Sequence, residues 1–131
     1  MNMHENSSLA EALLDVIPSS VLLIDDRLKI TYANRNFIVK SLRSERETIG
    51  HHISKAFPQI MLENTDFQER ICEVFVTRAP VKGQRMTYRA PGVPIRIYYY
   101  SILPLQDHLV MLVMEDVTEQ VSVASREIIF L

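Results

Sequence analysis

Apolar residues recur along this chain at two spacings, and each change of spacing marks a boundary between elements. Leu9, Leu13, Val16 and Ile17 fall at helical period behind Ser8-Leu9-Ala10-Glu11, whose Ser and Glu have capping-box spacing. Pro18 closes that run, because proline disfavours helical geometry in the residue before it. Val21-Leu22-Leu23-Ile24 is a short β-prone run halted by Asp25-Asp26, and Leu28 to Ala33 resumes it, which predicts a hairpin. Asn34 is placed to cap a helix carrying Phe37, Ile38 and Leu42. Ser44-Glu45-Arg46-Glu47 repeats the capping-box spacing ahead of a very short helix stopped by Gly50. One or two turns follow from Ile53 to Phe57, closed by Pro58. A longer helix is predicted from Thr65, whose spacing to Gln68 suits a reciprocal cap. Its face of Phe67, Ile71, Val74 and Phe75 is apolar, and Arg70, Glu73 and Thr77 point to water. Ala79-Pro80 ends it.

Beyond Pro80 the period drops to two. Gln84, Met86 and Tyr88 alternate with Arg85, Thr87 and Arg89, the pattern of a half-buried strand with its arginines in solvent. After the turn-rich Ala90-Pro91-Gly92-Val93-Pro94, a strand runs from Ile95 to Leu103 around Tyr98-Tyr99-Tyr100. Gln106-Asp107-His108 turns the chain, and Leu109 to Met114 is apolar enough to be buried on both faces. Glu119 to Leu131 reads as helix, with Val121, Ala124 and Ile128 forming a weak seam for a partner helix. Two strands, a run of helices and three strands make an α+β fold, its antiparallel sheet assembled from both ends of the chain. The alternation of a doubly wound parallel sheet and any glycine-rich phosphate loop are both absent.

Size and charge narrow the function. The 131 residues suit one domain, and 47% apolar content supports a core without metal or disulfide help. A net charge of −2 with no basic cluster argues against nucleic-acid contact. The longest strongly apolar run, Leu109 to Met114, is too short to span a bilayer. Met1 to Ser8 is polar and lacks the order of a secretory signal. Cys72 is the only cysteine, which excludes an intrachain disulfide and a multi-cysteine zinc site. Its place beside the apolar helix face suggests a small buried hydrophobe. A cytoplasmic setting follows as the expectation.

Three segments give the order a family likeness. Leu23-Ile24-Asp25-Asp26-Arg27-Leu28-Lys29-Ile30-Thr31-Tyr32-Ala33-Asn34 resembles the first hairpin of PAS domains with its closing asparagine. Thr77-Arg78-Ala79-Pro80-Val81 is similar to that family's turn from long helix to third strand. Met114-Glu115-Asp116-Val117-Thr118-Glu119-Gln120 resembles its Asp-Ile-Thr signal-exit motif, with valine replacing isoleucine. The hairpin turn lacks the glycine often found there, and Asp26 is expected to supply the turn's side-chain hydrogen bonds instead. The resemblance implies a PAS fold: a five-stranded antiparallel sheet, short helices across one face, an N-terminal cap helix and a C-terminal exit helix. It divides the chain into a cap helix at 1–18, a core at 19–118 and a connector at 119–131. The implied role is that of a regulatory sensor, not an enzyme. It would take a small molecule or a partner and feed an output domain such as a histidine kinase, an ATPase-type regulator or a cyclic-nucleotide enzyme.

Candidate residues follow from that likeness. Asp116 and Thr118 are expected to relay the signal, with Arg27 of the hairpin as the basic partner of Asp116. Phe57, Phe67, Ile71, Phe75, Met86, Tyr88 and Met111 would line a ligand cavity or simply fill it. Leu9, Leu13, Val16 and Ile17 have little room in the core and are expected at a homodimer interface. A flavin adduct is not expected, because the Asn-Cys-Arg segment of the blue-light branch is missing. Haem is disfavoured, since His51 and His52 lie in the Gly50 loop and the Phe67 helix has no histidine. Two rivals remain: a sealed-core dimerisation module, and a cone-pocket enzyme resembling ketosteroid isomerases. The latter needs a buried acid, whereas Asp25 and Glu115 lie at strand ends.

Overall fold

The computed structural model of the chain describes residues 3–58 and 66–121. Helix α1 (Met3–Asp15) leads into strands β1 (Ser20–Asp25) and β2 (Ile30–Ala33). The helices that follow among the described residues are α2 (Arg35–Ser41), α3 (Glu45–Thr48), α4 (Ile53–Ala56) and α5 (Asp66–Thr77). Strands β3 (Val81–Tyr88), β4 (Arg96–Pro104) and β5 (Leu109–Asp116) complete the sheet, and a helix begins at 118–121. The sheet order is β2-β1-β5-β4-β3, antiparallel throughout. Strands from the two ends of the sequence therefore meet at the β1–β5 seam, where Ser20 pairs with Met114 and Asp25 with Leu109.

Local chemistry explains the boundaries. Asn34 caps α2 by accepting from the Phe37 amide, and Ser44 and Glu47 form a reciprocal capping box on α3. Helix α1 begins at Met3, so Ser8 is internal to it and is not its cap. Thr65, the expected start of the long helix, lies outside the described residues. In the first hairpin the side-chain bonds come from Asp25 and not Asp26: its Oδ1 accepts from the amides of Arg27 and Lys29, both at 2.9 Å. Leu28 takes the left-handed conformation at φ 63° where a glycine would be unstrained, held there by its buried side chain. The outer edge of β2 is covered. The Ile30 amide donates to His51 and the Gly50 amide to Ile30, with Gly50 at φ 85° making the reversal that this requires.

One face of the sheet carries the core. Leu22, Ile24, Ile30, Tyr98, Tyr100, Ile102, Val110, Leu112 and Met114 are all buried against Phe37, Ile53, Phe57, Phe67, Ile71 and Val74 of the helices. Strand β5 is not buried on both faces: Val110, Leu112 and Met114 are buried, whereas Leu109, Met111 and Val113 are half-exposed on the other side. Because strand side chains alternate, Met111 cannot share a cavity with Leu112's neighbours. It pairs across to Leu23 and Leu103 on the outer face. Two helix assignments also shift. Arg70 reaches inward to donate to the Tyr100 hydroxyl at 2.8 Å, and Cys72 is exposed.

Candidate functional site

At the end of β5 the chain leaves the sheet through a closely bonded corner. The Val117 amide donates to the Ile97 carbonyl at 2.8 Å, and the Ile97 amide donates to Thr118 Oγ1 at 2.8 Å. The Thr118 hydroxyl has one proton to give. Asp116 Oδ1 at 2.6 Å takes it in preference to the Ile97 carbonyl at 3.5 Å. The Thr118 amide adds a second bond to Oδ1 at 3.0 Å. The other oxygen, Oδ2, accepts from Lys40 Nζ at 2.8 Å and Arg96 Nη1 at 3.1 Å. All four lone-pair directions of the carboxylate are thus used.

This arrangement ties four pieces together: the last turn of α2, the start of β4, the end of β5 and the first turn of the exit helix. Burial acts to raise the Asp116 pKa. The Lys40 ammonium, then the Thr118 hydroxyl and amide, overcome it and hold the carboxyl well below the usual carboxylate range. The Arg96 Nε is buried without a hydrogen-bond partner, so its guanidinium is fixed by Nη1 and by packing. An open groove of about 390 Å³ runs beside the corner, lined by Lys40, Arg96, Asp116, Thr118, Glu119 and Gln120.

Arg27 is not the basic partner. It sits in the β1–β2 turn, at the Asp25 end of β1, which pairs with the start of β5 at Leu109. Asp116 lies at the opposite end of β5. Lys40 and Arg96 carry the role that Arg27 was expected to have, and nothing local in the sequence points to Lys40, which is 76 residues from its partner.

Three of the expected cavity residues, Phe57, Phe67 and Tyr88, join Phe37, Tyr98 and Tyr100 in a continuous aromatic stack. Phe57 is central, with ring centroids 5.7 Å from Phe37, 5.6 Å from Phe67 and 5.6 Å from Tyr88. Phe67 meets Tyr100 edge-on at 5.2 Å, and Tyr88 meets Tyr98 at 6.2 Å. These are favoured contact geometries for aromatic pairs. Tyr88 donates to the Ala56 carbonyl at 3.0 Å, so its polar tip is satisfied. Burial raises its pKa and, with the Asp116 charge, pushes that of Tyr98 up to about 12. Ile71 and Met86 are buried in the same cluster, Phe75 packs half-buried at its edge, and Met111 is on the outer face.

The apolar stripe lies open, and α1 ends at Asp15, so Val16 and Ile17 fall in the turn after the helix and not on it as expected. Leu9 is 57% exposed, Leu13 58%, Val16 78% and Ile17 37%. The helix is held instead by polar ties at its C-terminal end. Asn34, fully buried, donates to the carbonyls of Leu14 and Ser19 and accepts from the amides of Val21 and Phe37. Asp15 Oδ1 accepts from the Tyr32 hydroxyl at 3.0 Å and the Arg35 amide at 2.9 Å. Burial and then the Asp15 carboxylate push the Tyr32 pKa up to about 12. Of the histidines, His52 caps α4 by accepting from the Ser54 amide, and His51 lies against the Arg46 carbonyl. Among the described residues no group of three or more His, Cys, Asp or Glu is placed to hold a metal.

A sheet of order 2-1-5-4-3, helices over one face and a threonine-anchored corner after β5 make the architecture of a PAS fold. A sequence model of the PAS fold matches residues 14–122, and the chain belongs to that family. No curated protein matches it. Among solved structures it is similar to the PAS domain of Bordetella pertussis BvgS, at 16% identity and TM-score 0.72, covering 93% of each chain. It is also similar to a domain of a sensory box sensor histidine kinase/response regulator from Geobacter sulfurreducens, at 12% identity and TM-score 0.70, covering 88% of this chain and 97% of that one. A third likeness is to the PAS domain of nitrogen regulation protein NR(II) from Vibrio parahaemolyticus, at 17% identity and TM-score 0.60, covering 82% and 97%. PAS domains sense signals and regulate other domains. Among the described residues no helix is long and apolar enough to cross a membrane.

Proposed function

We propose that this domain senses through its outer surface, as a cytoplasmic homodimer, and relays the result through the helix that begins at Thr118. The observation that carries the relay is the Asp116 carboxylate, which joins α2, β4 and the exit helix in one bonded corner. A shift in any of those pieces changes the direction in which the helix leaves. The filled aromatic stack favours a partner surface over a small molecule as the input, because a ligand would first have to part rings already in contact. The exposed stripe of Leu9, Leu13 and Val16 and the half-exposed Leu23, Leu103, Met111 and Val113 suit a second copy of the chain. In this reading 1–18 is the dimerising cap, 19–118 the core and 119–131 the connector. Among possible outputs a histidine kinase has the support of relatives described as sensor histidine kinases.

The test is kinase autophosphorylation in the protein carrying this domain. Asp116→Ala should lock the output at one level whatever the stimulus. Stimulus-dependent output that survives both this change and truncation after Glu115 rules the relay out.

A further inference from the structure

Helix α2 is bonded at both ends, to opposite ends of the chain. Its N-terminal turn grips the segment that leaves α1. Asn34 holds the Leu14 and Ser19 carbonyls at 2.9 and 2.8 Å, and the Arg35 amide holds the Asp15 carboxylate at 2.9 Å. Asn36 accepts from the Ser20 hydroxyl at 2.7 Å. Its last turn carries Lys40, which holds Asp116 at 2.8 Å. Between these points the helix spans seven residues, about 10 Å, and is anchored by Phe37, buried against Phe57. A helix of two turns packed on a rigid core transmits displacement along its axis better than it bends.

We propose that α2 is a strut that couples the docking of α1 directly to the exit corner, without passing through the aromatic core. Asp15 and Lys40 are its positioning residues. Whatever seats or unseats α1, a second copy of the chain above all, moves the N-terminal end of α2. Lys40 carries that movement to Asp116 and so to Thr118. The strut gives the α1 stripe a route to the output that needs no cavity. Its regulatory meaning rests on reading 118–121 as the exit, but the coupling itself can be measured inside the domain.

The experiment is amide hydrogen exchange on the 131-residue chain. Asp15→Ala removes the acceptor shared by Tyr32 and Arg35, and Tyr32→Phe weakens the same tie with a smaller change. Asp15 and α1 lie at the surface, so neither variant should prevent folding. Faster amides at Val16 and Ile17, which donate to the Leu13 and Leu14 carbonyls and not to Asp15, report that the end of α1 has loosened. The strut requires the Thr118 and Val121 amides to accelerate as well, by about two- to thirty-fold. In a Lys40→Met background, where the far end is already cut, Asp15→Ala should have no further effect on them. The proposal is overturned if Thr118 and Val121 stay unchanged while Val16 and Ile17 accelerate. It is also overturned if they accelerate by the same factor with and without Lys40. Neither outcome depends on whether the exit helix regulates an output, so the strut and the relay fail separately.

Discussion

The two faces of this sheet are built from similar residues and live in different surroundings. On the inner face Tyr98, Tyr100, Ile102, Leu112 and Met114 are at most 3% exposed and belong to one core cluster with Phe37, Phe57 and Phe67. On the outer face Leu23, Leu103, Met111 and Val113 are half-exposed, and Tyr99 is 45% exposed. Hydrophobic content alone therefore does not say where the core is. What separates the faces is which one the helices cover, and among the described residues the other keeps part of its apolar surface exposed. In the proposed reading the inner face stabilises the domain, and the outer face and α1 recognise a second copy of the chain.

The largest effect should come from the inner face. Phe67→Ala removes a ring in contact with both Phe57 and Tyr100 and should lower unfolding free energy by about 3–5 kcal/mol, read from urea denaturation. A loss below about 1 kcal/mol would mean that the stack is loose enough to admit a ligand. Next is the exit corner. Asp116→Ala should lose about 2 kcal/mol, since two cations and a threonine lose a charged acceptor.

Asp116 also sets an acid limb. Its folded pKa is depressed, so its contribution is complete above the unfolded value of about 3.9 and fades as pH falls toward the folded one. Asp116→Asn should flatten that loss in acid titrations followed by circular dichroism. At the other extreme Tyr32 and Tyr98 are raised to about 12. The stability they give is full below about pH 10 and is lost as pH climbs toward the folded values. Tyr98→Phe should therefore lessen alkaline unfolding. The smallest stability effect belongs to the outer surface. Leu13→Asp should change unfolding free energy within about 0.5 kcal/mol and yet shift sedimentation from dimer to monomer.

Much of this architecture was legible in the sequence because it is local. The Asn34 cap, the Ser44–Glu47 box and the period-two run through Met86 and Tyr88 each declare themselves within a few residues. The Thr118 corner was legible through its resemblance to a known motif. What escaped the sequence depends on contacts between distant segments. Lys40 reads as an ordinary surface lysine until the fold brings it to Asp116. Arg27, the basic residue of the first hairpin to which the resemblance points, lies at the wrong end of β1. Met111 was misplaced because a continuous apolar strand hides its alternation, and only the covering helices reveal which side is inside.

Native mass spectrometry of the cytoplasmically expressed chain tests the division between the two faces most directly, because one spectrum reports both assembly and retained ligand. The outer-surface account expects a dimer with the mass of two chains and nothing added. A monomer carrying a bound small molecule would contradict it, placing recognition inside the aromatic stack and leaving the outer face without its role.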